Sequence, residues 1–139
     1  MSWPTPVPGM VMRYSFLWSW ENSRGRGYGT KDRPCAIIVA TGQVETGIRT
    51  YLLSITHTPP QVPADVVEIP KSVKAHLGLD SDRSWIVINE INAFVWPGYD
   101  LSPVARTGSP VYGILPPGFF RHLRSRFLAV RRRVITKRT

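Results

Sequence analysis

The sequence predicts a mainly β protein with a C-terminal helix, arranged as a small barrel or a strongly curved sheet that the helix caps. Short β-branched and aromatic segments separated by glycine- and proline-rich turns occupy the first hundred residues. Apolar residues recur at spacings of three and four only near the end. A chain of 139 residues that is 42% hydrophobic suffices for one core, so a single domain over 1–139 is expected.

The first third of the chain predicts two strands and a glycine-rich loop. Residues 1–8 are expected to form an extended arm, and GMVMRYSFLWSW over 9–20 favours a first strand. The segment 21–32, ENSRGRGYGTKD, has no periodicity and predicts a mobile basic loop. Residues 34–40 form a second, apolar strand with its proline at the start, and 41–43 start a turn.

Further strands and a short helix follow. IRTYLLSIT over 48–56 predicts a third strand that ends at His57-Thr58-Pro59-Pro60, where two prolines remove ladder donors. Residues 66–69 predict a fourth strand. Residues 70–77 predict a helix, because proline stands at its entrance and Gly78 at its end.

The segment WIVINEINAF over 85–94 predicts a central strand, but it contains three polar residues, Asn89, Glu90 and Asn92. Such residues in an apolar strand need hydrogen-bond partners, so they indicate either a functional site or a structural hydrogen-bond network. Glu90 and Asn92 could instead be hydrogen-bonding residues that pin the strand to the basic loop.

An amphipathic helix follows Pro116-Pro117-Gly118. Its apolar positions are Phe120, Leu123, Phe127, Val130 and Val134, and arginines fill most of the gaps. Residues 131–139 are expected to be a basic, frayed tail.

Charge is distributed unevenly along the chain. Residues 1–100 hold nine Lys/Arg and nine Asp/Glu, whereas residues 101–139 hold nine Lys/Arg and no acid, which accounts for the net charge of +9. The basic end could attract phosphates or an acidic protein segment, or it could be a solvated helix face. A cytoplasmic protein is expected, because no apolar run of about 18 residues and no signal-peptide pattern is present. The single cysteine, Cys35, allows no internal disulfide and predicts a buried thiol.

Several features taken in order resemble the MazF/PemK toxins of bacterial toxin–antitoxin systems. These are Gly9-x-Val11 at the start of a strand, the glycine-rich loop, Lys31-x-Arg33-Pro34 leading an apolar strand, and Thr56 at the end of the next strand. The resemblance extends from Gly9 to the helix near Val130. The inserts HTPPQVPAD and FVWPGYDLSPVARTGSP would make the chain a longer member than usual.

The resemblance implies an SH3-like barrel with a C-terminal helix and short helices, usually a homodimer, that cleaves single-stranded RNA without a metal or another cofactor. A cognate antitoxin protein would inhibit it. Attack by the 2′-hydroxyl of the RNA needs a proton acceptor, stabilisation of the phosphorane and protonation of the leaving 5′-oxygen. Arg33 matches the family's loop arginine, and Thr56 matches the strand-end threonine that contacts the scissile phosphate.

Two further residues are catalytic candidates. His57 is adjacent to Thr56, and histidine titrates near neutrality, but neighbouring strand residues point to opposite faces unless the chain twists. PemK-like members carry an arginine and an aspartate in the central strand, and the stretch Val87-Ile88-Asn89-Glu90 has neither. Glu90 could supply the carboxylate if the register shifts.

The predicted RNA contacts are Arg24, Arg26, Lys31, Asn89, Asn92 and Trp96. Core or dimer contacts are the more typical role of Trp18, Trp20, Trp85 and Trp96, and Trp96 is the best candidate among them for a base-stacking platform. Arg33 could pair with Asp32, Glu45 or Glu90 and have no catalytic role.

Two other functions stay open at this point. The chain could be an inactive barrel of the same kind that binds RNA or protein through the basic helix from Arg121 to Arg133. It could also be a CcdB-like, gyrase-directed toxin, which shares the fold without the ribonuclease activity.

Overall fold

The computed structural model describes residues 4–25, 31–44, 47–98 and 100–138. The strands are β1 (Met10–Tyr14), β2 (Arg33–Val44), β3 (Gly47–Thr56), β4 (Val66–Glu68), β5 (Trp85–Val87), β6 (Glu90–Trp96), β7 (Val111–Ile114) and β8 (Val134–Lys137). The helices are α1 (Ser19–Ser23), α2 (Lys71–Leu77) and α3 (Pro117–Ala129), with a single 3₁₀ turn at Pro63–Asp65. The prediction of a mainly β protein with a C-terminal helix is confirmed.

Strand β3 is the centre of one eight-stranded sheet. One edge of β3 pairs with β2, and the other edge pairs first with β6 and then with β5. Outside these strands, β1 lies between β2 and β7, β4 pairs with β5, and β8 pairs with β6. All of these pairs are antiparallel except β6 with β8. The pairings among the described strands do not close the sheet into a barrel.

The chain leaves the ladder between β5 and β6. Leu52 pairs with Asn92 and Ile55 pairs with Ile86, so two β3 residues face the five residues 87–91. The three extra residues make the chain bulge away from β3. The single strand predicted over 85–94 is therefore two strands, and the interruption falls at the polar residues that the sequence marked.

Both faces of the sheet are buried, and successive side chains along a strand point to opposite faces. Val11, Ala36 and Leu53 belong to one core cluster, which α2 and α3 cover. Their chain neighbours Cys35 and Leu52 belong to the second cluster, on the other face. The prediction of a buried Cys35 thiol is confirmed, and burial raises the pKa of this thiol well above its usual range.

The C-terminal segment differs from its prediction. Helix α3 ends at Ala129, and residues 134–137 form β8 along β6. Arg138 N–H also donates to the carbonyl of Ala93 at 2.7 Å. The expectation of a frayed tail is therefore wrong for these residues. The β-branched run Val134-Ile135-Thr136 favours a strand, and the free edge of β6 supplies its ladder partners.

Two boundaries near the N-terminus also differ. The first strand ends at Tyr14 rather than at Trp20, because residues 19–23 form α1. The Glu21 side chain accepts a hydrogen bond from the Trp18 N–H at 3.1 Å and thereby caps α1. The turn expected at 41–43 lies inside β2, which continues to Val44. No helix among the described residues is long and apolar enough to span a membrane.

Candidate functional site

An open groove of about 890 Å³ lies where β3 ends and where the chain bulges between β5 and β6. Its walls come from the start of β2, the segment 55–62 and the N-terminal part of α1. Six of the ten predicted site residues line it: Lys31, Arg33, Thr56, His57, Asn89 and Glu90. The fold thus gathers residues that are up to about sixty positions apart in sequence.

Arg33 places a cation in this groove, and among the described residues its guanidinium contacts the Trp18 ring rather than a carboxylate. Its guanidinium carbon lies 5.3 Å from the centroid of the Trp18 ring. Its Nε is buried and has no hydrogen-bond partner among the described residues, and no described carboxylate forms an ion pair with it. A buried, unpaired N–H of a guanidinium is costly, and the guanidinium charge lines the groove, where it can bind an anion.

The structural roles proposed for Arg33 find no support among the described residues. Asp32 lies 3.7 Å from Arg13 Nη2 and accepts a hydrogen bond from Ser102 at 2.9 Å. Glu90 accepts a hydrogen bond from the backbone N–H of Ser19. The third possible partner, Glu45, lies outside the described residues.

Thr56 and His57 both line the groove, although they are neighbours. Thr56 is the last residue of β3, and its hydroxyl accepts a hydrogen bond from the Thr58 N–H at 3.1 Å. His57 follows the strand end, so the alternation of faces along a strand no longer constrains it. His57 Nε2 lies 2.9 Å from the Asp80 carboxylate, and 58% of the His57 side chain is exposed. Histidine oriented by a carboxylate in this way is suited to proton transfer.

Lys74 holds Asp80 in place. The Lys74 side chain is 5% exposed, and its ammonium donates to Asp80 at 2.5 Å, to Ser84 at 2.7 Å and to the backbone carbonyl of Asp82. The hydrogen bond from Lys74 lowers the pKa of Asp80, and the nearby charges of Lys74 and His57 add to that effect. Asp80 is thus a fixed, ionised partner for His57.

Sequence reasoning missed this chain of contacts. Lys74 lies on α2, Asp80 follows that helix, and His57 follows β3, so no spacing or motif links them. The only signal is that α2 ends at Gly78 in the left-handed conformation, which turns the chain sharply before Asp80.

The side chains of His57, Asp80 and Asp82 also form a group that could hold a cation. Their potential ligand atoms all lie within 4.8 Å of one another, and all three side chains are exposed. The sequence had suggested no ligand cluster, because His57 is more than twenty positions from Asp80 and Asp82 in the chain. Lys74 already donates to Asp80, so an ammonium would compete with a bound metal for that carboxylate.

Glu90 and Asn92 have architectural partners. The Glu90 carboxylate accepts from Ser19 N–H at 2.8 Å. The Asn92 amide accepts from Leu17 N–H at 2.8 Å and donates to the Leu17 carbonyl at 2.7 Å. Both side chains therefore pin the entrance of α1 to β6. This resembles the structural alternative from the sequence, in which they pin the strand to the basic loop, but the segment that they hold is the start of α1. Asn92 is 1% exposed and does not line the groove, so its predicted RNA contact is wrong in this structure.

The aromatic surfaces of the groove differ from those predicted. Trp96 is 5% exposed and packs against Phe94 in the core, so its ring cannot stack on a base. Trp18 and Trp20 line the groove instead. The Arg24 guanidinium lies 5.4 Å from the centroid of the Trp20 ring, which places it beside the groove. Arg26 lies outside the described residues.

Comparisons of the chain with protein-family models, with curated proteins and with solved structures gave no match. The resemblance to MazF/PemK toxins therefore rests on the short sequence motifs alone. The chemistry of the groove has to support any function by itself.

Proposed function

We propose that the groove binds a short stretch of single-stranded RNA and cleaves it, without a metal, by attack of the RNA 2′-hydroxyl. The observation that carries this proposal is that Arg33, whose Nε has no hydrogen-bond partner among the described residues, lines the same groove as His57, which pairs with Asp80. A free cation for the phosphate and an oriented imidazole for the proton are what this reaction needs.

Each residue has a distinct task in this mechanism. His57 accepts the 2′-hydroxyl proton while the 2′-oxygen attacks phosphorus. Arg33 stabilises the charge on the phosphorane, since its planar fork can contact two phosphoryl oxygens. The Thr56 hydroxyl orients one of these oxygens. The imidazolium of His57 returns the proton to the departing 5′-oxygen, so the products are a 2′,3′-cyclic phosphate and a 5′-hydroxyl end.

The surrounding groove would select single strands. Trp18 and Trp20 offer ring surfaces at the wall, and bases of a single strand can stack on such rings. Lys31 is exposed at the edge and adds positive charge. Glu90 acts through α1, because it fixes the helix that carries Trp20.

The biological setting follows from the resemblance to MazF/PemK toxins. We assign the chain the role of a toxin that is active as a homodimer and is inhibited by a cognate antitoxin protein. An extended segment of the antitoxin would occupy the RNA groove and fold on binding.

The test is cleavage of a long single-stranded RNA in EDTA, with mapping of the new ends and detection of cyclic phosphate. Arg33→Ala should slow cleavage by about 100-fold or more, since loss of one donor to a developing oxyanion costs about that much. Arg83→Ala is the matched control, because Arg83 also lies over a tryptophan, Trp85, but outside the groove. Equal rates for the wild type and Arg33→Ala would overturn the proposal, as would cleavage that EDTA abolishes and magnesium restores.

A second candidate is an RNA-binding protein without catalysis. It is favoured because the Glu90 carboxylate and the Asn92 amide are both used in structural hydrogen bonds, to Ser19 and Leu17. Of the predicted catalytic residues that could transfer a proton, His57 alone is then without a hydrogen bond to α1 among the described residues. The same experiment distinguishes it: RNA would bind in a salt-dependent way, and no new ends would be found.

A further inference from the structure

A second groove, of about 650 Å³, adjoins the first one beside the C-terminal end of α3. Asp65 and Asn89 line both grooves, so the two meet at these residues. Arg126, Arg131 and Arg132 line the second groove, and Asp65 is the one carboxylate residue among those described there. The charge of this groove is therefore strongly positive.

Backbone hydrogen bonds hold the two grooves together. Val134 N–H donates to the Asn89 carbonyl at 2.9 Å, which brings the segment after α3 against the bulge between β5 and β6. Ile88 N–H donates to the Asp65 carbonyl at 2.9 Å and fixes the other wall. The boundary between the grooves is thus part of the fold.

The three arginines of the second groove are not equivalent. Arg126 is half-buried, and its Nη2 lies 3.4 Å from the Val66 carbonyl that it contacts as a donor. Arg131 and Arg132 are exposed, and neither forms an ion pair with any described residue. Two free guanidiniums beside a nucleic-acid groove are suited to bind backbone phosphates.

We infer that a single-stranded RNA in the first groove continues past Asn89 into the second groove, where Arg131 and Arg132 bind its phosphates. This inference rests on the proposed function and extends it to nucleotides that flank the cleaved bond. RNA is favoured over an acidic protein segment because the second groove is continuous with the groove that holds Arg33 and the tryptophans.

The test measures binding of 2′-O-methyl oligonucleotides, which the protein cannot cleave, by fluorescence anisotropy. One oligonucleotide of about four nucleotides fits the first groove alone, and one of about twelve spans both. The double variant Arg131→Gln/Arg132→Gln should weaken the long one about tenfold or more at low salt and leave the short one within about twofold. Its salt slope should fall by about 1.4, because each phosphate contact on a single strand contributes about 0.7.

Arg121→Gln/Arg124→Gln is the matched control. It removes the same charge from exposed positions of α3 that line neither groove. Equal weakening by the two double variants would reduce the effect to general electrostatics and overturn the inference. An oligoglutamate that binds through Arg131 and Arg132 while RNA binding ignores them would overturn it in favour of a protein partner.

Cleavage of unmodified RNA keeps the two proposals apart. Normal cleavage of a short RNA by Arg131→Gln/Arg132→Gln, with loss of the length dependence of binding, supports both. If the wild type cleaves RNA normally but binds short and long oligonucleotides equally well, the inference about the second groove is wrong and the catalytic proposal stands. Binding that depends on Arg131 and Arg132 without any cleavage overturns the catalytic proposal and retains the RNA path.

Discussion

Arg33 and Arg138 make the same contact with an aromatic ring but differ in their hydrogen bonds and ion pairs. Each guanidinium carbon lies 5.3 Å from a ring centroid, that of Trp18 for Arg33 and that of Tyr14 for Arg138. Arg138 donates to the Ser15 carbonyl at 2.8 Å and to the Asn92 amide oxygen at 2.9 Å. Its Nη2 also lies 3.0 Å from the Asp100 carboxylate, as an ion pair without hydrogen-bond geometry. Arg33 has no such partner among the described residues.

The difference separates a structural cation from one that is available to a ligand. A buried guanidinium that donates to two oxygens and forms an ion pair with a carboxylate stabilises the segments that it joins, here β6, β8 and the chain after β1. A guanidinium with a buried, unpaired Nε costs free energy in the empty protein, and such costs concentrate at binding sites. The Tyr14 hydroxyl beside Arg138 also has no hydrogen-bond partner among the described residues. Burial raises the pKa of this hydroxyl, so it stays neutral and does not form an ion pair with Arg138.

The largest expected effect on stability is that of Arg138→Ala. The Arg138 side chain is 2% exposed, and its removal leaves Asp100 without its ion-pair partner and takes one of two donors from the Asn92 oxygen. We expect the free energy of unfolding to fall by about 3 kcal/mol, measured by urea denaturation. Lys137→Ala, at an exposed neighbouring position, should change it by less than about 0.5 kcal/mol. Equal midpoints for both variants would contradict a structural role for Arg138.

The same pair of arginines shows what the sequence could and could not predict. Arg33 stands in a local pattern, charged residues and a proline before an apolar strand, that resembles the MazF/PemK toxins, and this resemblance identified it as a site residue. Arg138 looked like part of a frayed basic tail, because nothing in Thr136-Lys137-Arg138 announces a partner. Its burial depends on β6 having a free edge, and that is a property of the whole sheet.

The site was predictable where it depends on one chain segment and not where it depends on packing. Thr56 was identified because it matches the strand-end threonine of the MazF/PemK resemblance, and His57 because it is adjacent to Thr56. Asp80 and Lys74 were missed, since they reach His57 from another element. Trp96 and Asn92 were assigned to RNA because the sequence does not show that both faces of β6 are covered; both side chains are almost fully buried.

An intermediate effect is expected for Asp80→Asn, which tests a third buried cation, Lys74. The pKa of Asp80 is lowered in the folded protein, so its contribution to stability is complete above the ordinary value of 3.8 and is lost as the pH falls through the lowered value. At neutral pH we expect Asp80→Asn to lower the unfolding free energy by about 1 kcal/mol, because Lys74 loses a charged acceptor whose other side is solvent-exposed.

The control for this prediction is Glu68→Gln. The pKa of Glu68 is also lowered, chiefly by a hydrogen bond from Arg83, but both groups lie at the surface. Both variants should therefore show a weaker loss of stability in acid than the wild type, and the loss of stability at neutral pH should be larger for Asp80→Asn than for Glu68→Gln. Unfolding curves for Asp80→Asn that match the wild type from acid to neutral pH would show that Lys74 does not need this carboxylate.

The smallest expected effect on stability is that of Arg33→Met, and it tests the comparison most directly. Methionine keeps an unbranched side chain over Trp18 and removes the unpaired Nε. The unfolding free energy should stay the same or rise by up to about 1 kcal/mol, whereas RNA cleavage should fall as far as in Arg33→Ala. A loss of stability as large as that of Arg138→Ala would mean that Arg33, too, has a structural role. Retained stability with lost cleavage would identify a cation that the fold leaves unpaired because its partner is the phosphate of the substrate.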